Sequence, residues 1–175
     1  HVGAPVLAPD APEVREAVDA VRARTERLVG NAGTTRPATF HRRLGEILYR
    51  GCGVSRSDEG LRRALTEIRA LRADFWRDVH VAGDADRLNQ ELEKAGRVAD
   101  FLELAELMVV DALDRTESCG AHFREEYATD EGEARRDDAR WCSVSAWETT
   151  PQGRHVRHPE PLDFRLVPLQ TRNYK

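Results

Sequence analysis

The sequence predicts a mainly α fold: an antiparallel three-helix bundle of the spectrin-repeat kind, with an extra N-terminal helix and an irregular C-terminal tail carrying a short β-hairpin. Three observations predict it. Apolar residues recur at spacings of three and four through most of residues 12–115. Proline, serine and glycine stand where such runs should start and stop. Beyond Gly120 the helical period is lost, and two short stretches alternate with period two instead.

Each element has its own justification. Asp10 followed by Pro12 marks a helix start, and Val14, Val18, Val21, Thr25 and Leu28 form one seam that ends near Gly30. A second helix opens around Pro37, with Phe40, Leu44, Ile47 and Leu48 on one face and Gly51 and Gly53 at its end. Ser57 caps a third, whose inward stripe is Leu61, Leu65, Ile68, Leu71 and Phe75. The longest periodic run extends from about Asp86 to Arg115, with Leu88, Leu92, Ala95, Ala99, Leu102, Val109 and Leu113 on a nearly heptad-spaced stripe. From Phe101 to Leu113 this helix is apolar around most of its circumference, so it belongs at the bundle centre and must be covered on more than one side. Trp141–Thr149 and Leu162–Leu169 are expected to pair as the hairpin, with Leu162, Phe164 and Leu166 on one side and turn residues at 150–153. The expected organisation is a lead and joining helix at 1–36, the bundle at 37–118 and the tail at 119–175.

Composition narrows the function. The 175 residues are 40% hydrophobic and 33% charged, the balance of a globular domain, and 27 basic against 31 acidic residues leave a formal net charge of -4. No basic excess asks for nucleic acid or an anionic membrane. Three cysteines, Cys52, Cys119 and Cys142, are odd in number and widely spaced, which fits a reducing, cytoplasmic setting. The longest apolar stretch, Leu104 to Leu113, is interrupted by Glu106 and Asp111 and is about half what a bilayer requires. The start at His1 within a proline-rich lead is expected of a piece of something longer.

Stand-alone chemistry lacks its usual parts: G-x-G-x-x-G, G-x-S-x-G and H-E-x-x-H are absent from the sequence. Cys119, His122, Cys142 and His155 or His158 supply zinc-ligand chemistry, but at no standard spacing. Asp100, Glu103 and Glu106 follow one another at three-residue intervals and read as a solvated or salt-bridged stripe. His41 and His80 read as structural, the latter as a helix-end cation. The dense stretch is Arg115 to Tyr127, followed by Arg136-Asp137-Asp138. Its charges crowd the exit of a buried helix, where each needs a partner in the fold or on another surface. Gly120 offers the left-handed conformation for that exit.

This stretch resembles the C-terminal signature of succinate dehydrogenase and fumarate reductase flavoprotein subunits, R-x-E-S-R-G-A-H followed by an acidic and aromatic run and R-D-D. The matching residues are Arg115, Glu117, Ser118, Gly120, Ala121 and His122, then Arg124, Arg136, Asp137 and Asp138, with Cys119 in place of the family's arginine. The run Asn89 to Leu104 is similar to the family's long helix, and Thr171–Lys175 to its Arg-x-Tyr finish. The resemblance implies the terminal helical domain of an oxidoreductase that interconverts succinate and fumarate and passes electrons through FAD to an iron-sulfur subunit. It implies no catalytic, flavin or metal residue in this chain, since the family's motifs for these lie elsewhere in the subunit. Its implied partners are the flavin-binding domain of the same subunit, the iron-sulfur subunit and, only indirectly, a membrane anchor, in a complex on the cytoplasmic face of the inner membrane. Glu117, His122, Arg124, Asp137 and Asp138 are the expected docking residues. The alternatives are a free-standing helical interaction module and the equivalent domain of an L-aspartate oxidase.

Overall fold

The computed structural model describes residues 6–150 and 152–170, so the chain-end match at Thr171–Lys175 lies outside the described residues. Four long helices run in order: α1 Pro12–Val29, α2 Pro37–Gly51, α3 Asp58–Asp78 and α4 Gln90–Asp114. A two-residue strand β1, Ser55–Arg56, pairs in parallel with β2, Phe123–Arg124. A one-turn helix α5, Asp138–Trp141, leads into the antiparallel hairpin of β3, Ser143–Thr149, and β4, His155–Pro161.

Local chemistry sets most boundaries. Proline occupies the first turn of α1 and α2, where its missing N–H costs nothing. Ser57 Oγ accepts the Gly60 N–H at 3.1 Å at the start of α3. The α4 helix begins at Gln90 rather than Asp86, because Asn89 is the residue that closes the loop. Its Oδ1 accepts the N–H groups of Glu91 and Leu92, while its Nδ2 donates to the carbonyls of Ala82 and Asp84. Leu88, expected on the α4 stripe, therefore lies before the helix and is exposed.

The core forms where α2, α3 and α4 meet. Phe40, Leu44 and Ile47 of α2 face Leu61, Ile68, Leu71 and Phe75 of α3, and Phe40 meets Phe75 edge to face at 5.3 Å. The α4 side contributes Ala95, Ala99, Ala105 and Ala112 with Val98, Leu102 and Val109. So many alanines let the other helices approach closely, which explains how one helix is enclosed by two neighbours. The enclosure is incomplete. Phe101, Leu104 and Met108 stay exposed and, with His41 and Leu48, border a groove of about 150 Å³ between α2 and α4. On α1 the expected seam is only half used: Leu28 is buried, whereas Val18 and Val21 are 49% and 66% exposed.

The hairpin differs from expectation in its second strand, which is His155–Pro161 and not Leu162–Leu169. The turn decides this. Gly153 adopts φ +73°, its N–H reaches Thr150 O, and Thr150 N–H reaches Arg154 O, so Thr149 is forced opposite His155. Strand β4 then carries polar residues to α4: Arg157 Nε lies 2.9 Å from Asp114, while Trp147 Nε1 of β3 donates to Asp111 at 2.7 Å. Glu106 is buried between α3 and this hairpin, with each carboxylate oxygen 2.8 Å from one guanidinium, Arg69 or Arg72. Of the expected acidic stripe, Glu103 is exposed and Asp100 pairs with Arg24, so Glu106 faces a different side of α4.

The α1–α2 connection is clamped to the end of α3. Asp78 accepts hydrogen bonds from Thr34 and Thr35, and Thr35 bridges to Val79, leaving Gly33 pressed on backbone. A Cβ on Gly33 would fall 2.2 Å from the Asp78 carbonyl, whereas one on Gly45, mid-α2, would meet nothing within 4 Å. Gly33→Ala is therefore expected to destabilise the fold by about 2 kcal/mol, and Gly45→Ala to stabilise it by roughly 0.5–1 kcal/mol. Urea unfolding midpoints of the two variants check both signs.

Candidate docking site

Of the five expected docking residues, His122 and Arg124 lie where α4 ends and α3 begins, Glu117 ties Asp137 to that region, and Asp138 follows in α5. After Asp114 the chain turns away at Arg115, whose Nη2 and Nε hold Glu117 Oε1 at 2.5 and 2.9 Å. Glu117 is 2% exposed, and its second oxygen accepts the Asp137 N–H at 2.8 Å. Ser118, fully buried, donates its N–H to Arg135 O and exchanges two hydrogen bonds through its Oγ with the backbone of Arg124. Glu117 and Ser118 thus join two separate parts of the tail, residue 124 and residues 135–137.

Cys119 and His122 exchange backbone hydrogen bonds of 2.8 and 3.1 Å around Gly120, which has φ +59°. The left-handed glycine expected at the helix exit instead closes this turn, six residues after the helix ends. The turn aims His122 inward. Its Nε2 donates to Arg115 O at 2.9 Å and its Nδ1 accepts from Arg56 Nη1 at 2.8 Å. Both ring nitrogens are committed, and the described residues include no group of three or more His, Cys, Asp or Glu side chains arranged for a metal ion. Burial, and then the positive charges of Arg56, Arg115 and Arg124, hold the His122 imidazole below its ordinary pKa, against the opposing pull of the Arg115 carbonyl.

Arg124 joins the largest number of elements. Its guanidinium is buried beneath the tail, donates to Ala112 O at 2.8 Å and Leu113 O at 3.4 Å, and so caps the last turn of α4. The same group reaches Glu126 at 3.1 Å and Asp58 at 3.7 Å, and lies against Tyr127. Glu126 in turn accepts the Asp58 N–H at the start of α3. Asp137 caps α5 through the Arg140 N–H, and Asp138 pairs with Arg136 at 2.6 Å. Glu117 and Arg124 are internal, His122 and Asp138 half-buried, and Asp137 exposed. Sequence reasoning missed Arg56 and Asp58. They lie more than fifty residues away in the chain, and nothing local marks them as partners of the signature.

With this geometry in place, comparison with known proteins assigns the class: a terminal helical domain of large flavoprotein oxidoreductase subunits. The model of the family described as fumarate reductase flavoprotein C-term matches residues 41–174, and the chain belongs to that family. The fumarate reductase flavoprotein subunit of Helicobacter pylori is 32% identical over 144 residues, covering 81% of this chain and 19% of the relative. That of Serratia sp. is 29% identical over 168 residues, covering 94% and 27%. The succinate dehydrogenase flavoprotein subunit of Rickettsia bellii is 25% identical over 163 residues. The chain thus spans about a fifth to a quarter of the length of these relatives. Among solved structures, an E. coli quinol fumarate reductase FrdA variant superposes with TM-score 0.80 over 97% of this chain and 28% of that one, at 23% identity. An adenylylsulfate reductase of Archaeoglobus fulgidus superposes at 0.68 over 90% and 26% with 17% identity, so the fold is shared more widely. The alternatives of a free-standing helical module and an L-aspartate oxidase domain are not favoured by these matches.

A bound flavin dinucleotide needs a glycine-rich turn between strand and helix. The chain has no such sequence, and the described strands form only two two-stranded ribbons, so its residues do not fit the role of FAD holder.

Two outcomes follow. An unfolded imidazole takes up its proton near the ordinary value of 6.5, while folded His122 resists to lower pH. Above that value stability is unaffected, below it stability falls, and it levels off once the folded value is passed. The urea midpoint should drop as the pH is lowered through 6.5, and His122→Gln, which does not titrate, should flatten the slope. Arg124→Ala strands the α4 carbonyls and Glu126 and is expected to cost about 3–5 kcal/mol. Arg124→Lys, lacking the planar fork, should recover only part of this in the same measurement.

Proposed function

We propose that this chain serves as the C-terminal helical domain of a flavoprotein subunit that interconverts succinate and fumarate, passing electrons through FAD to an iron-sulfur subunit. The observation that carries this reading is the family match across residues 41–174, which includes the whole network around Arg124. The domain's own work is association. In this reading residues 1–36 join the flavin-binding domain, residues 37–118 form the bundle that packs beside it, and residues 119–175 wrap back towards the iron-sulfur subunit.

The physical support is an apolar face left exposed among the described residues. Leu7, Val14, Ala17, Val18 and Val21 form one surface of α1 and the lead before it. An apolar stripe of this kind is stable in water only at a cost, and the flavin-binding domain of the same subunit is the occupant we assign to it. That domain would attach next to this helix. Glu117, His122, Arg124, Asp137 and Asp138 contribute to docking by holding the tail in one shape, with Asp137 and Asp138 nearest the surface. No helix among the described residues is long and apolar enough to cross a membrane. In this reading the parent complex is peripheral on the cytoplasmic face of the inner membrane, and this domain meets a membrane anchor only indirectly.

Reconstitution tests this. The chain is mixed with a separately produced flavin-binding remainder of the subunit and examined by size-exclusion chromatography and succinate-dependent dye reduction. A stoichiometric complex with recovered turnover is expected. Val18→Asp with Val21→Asp should abolish it while leaving the fold intact, and His122→Ala and Arg124→Ala should weaken assembly. A complex indifferent to all of these substitutions would overturn the reading.

A further inference from the structure

A second surface, on the side of α3 that faces α1, is cationic. Arg69, Arg72 and Trp76, and likewise Arg69, Ala73 and Arg77, are spaced by three or four residues, so the five form a ladder on one face of α3, and Arg27 of α1 closes its side. Together they line a cleft of about 400 Å³, with Ala73 and Trp76 as its floor. Its charges do not cancel. Buried Glu106 is shared by Arg69 and Arg72, and Asp74 is shared by Arg77 at 2.5 Å and Arg43 at 3.7 Å. Arg27 pairs with no carboxylate among the described residues; its guanidinium is laid over the Trp76 ring at 4.3 Å.

The four arginines of the cleft thus have two carboxylates among them, one of these also shared with Arg43 outside it, on a chain whose formal net charge is -4. The guanidinium groups are also held in advance. Glu106 holds Arg69 and Arg72, Trp76 holds Arg27, and all three arginines line the cleft. Anchored forks lose less freedom on meeting a carboxylate than unrestrained ones do. The chain's own acidic run at Asp130–Glu133 does not fill the cleft, because Thr129 and Glu133 tie it into a separate turn.

We infer that this cleft is a docking site for an extended acidic segment of another polypeptide, one that presents carboxylates to Arg27, Arg69, Arg72 and Arg77 in succession. Two turns of α3 separate Arg69 from Arg77, about 12 Å of helix rise. That length matches several residues of extended chain with alternate side chains on the same side. This inference goes beyond the oxidoreductase reading and does not depend on it.

The test uses the 175-residue chain and a synthetic peptide with Glu at every second position, its Gln counterpart as control, followed by calorimetric titration at about 0.15 M ionic strength. The Glu peptide should bind and the Gln peptide should not. Arg27→Glu with Arg77→Glu leaves the buried Glu106 pairs untouched and should weaken binding about tenfold. Arg15→Glu with Arg22→Glu reverses the same number of charges elsewhere on α1 and should change it little. Thermal unfolding of each variant confirms the fold. The inference is overturned if the Glu peptide fails to bind, if both charge reversals weaken it equally, or if inorganic pyrophosphate displaces it at equal concentration, which would mark a small-anion site.

Discussion

The buried guanidinium of Arg124 is the constraint on which the tail of this domain depends. A fully desolvated positive charge is tolerated only where every face of the fork finds an acceptor, and here the acceptors come from three directions. The last carbonyls of α4 supply a backbone cap, Glu126 a carboxylate from the tail itself, and Asp58 a more distant charge at the head of α3. Removing any one leaves the others unbalanced. The end of α4, the start of α3 and the tail are therefore positioned together and not one after another.

Around this point the signature residues divide the labour by chemistry. Glu117 accepts from Arg115 on one oxygen and from the Asp137 backbone on the other, so it holds the exit of α4 and the tail together. Ser118, fully buried, uses its hydroxyl to satisfy both the N–H and the carbonyl of Arg124. Burial, and then the charges of Arg56, Arg115 and Arg124, favour the neutral form of His122, whose Nδ1 accepts from Arg56. A network with so few spare lone pairs is rigid, and a rigid tail is what a domain needs if its surface is to be recognised by neighbouring chains. The same logic applies on the far side of α4, where Glu106, Asp111 and Asp114 hold the hairpin that buries part of the helix.

The two uncovered surfaces are chemically opposite. The α1 face is apolar and continuous, suited to a permanent neighbour whose own apolar area would be hidden with it. The α3 cleft is polar, open to solvent and charged, suited to contacts that set orientation and partner choice more than affinity.

Helix positions were legible in the sequence because they follow from local rules. Pro12 and Pro37 open helices, Ser57 caps one, and the periodicity of Leu61, Ile68, Leu71 and Phe75 identifies the buried face of α3 without any knowledge of its neighbours. The crowding of charge between Arg115 and Asp138 was legible too, since buried charges demand partners. What those partners are was not. Arg56 and Asp58 meet the signature only because the bundle returns the start of α3 to the end of α4, and no local pattern records that meeting. The second hairpin strand was likewise set by the turn at Gly153, which fixes the register in which Arg157 meets Asp114, and not by the apolar alternation of Leu162–Leu169. Periodicity and capping act within a few residues and so are written in the sequence; the pairing of charges far apart in the chain is decided only once the helices have packed.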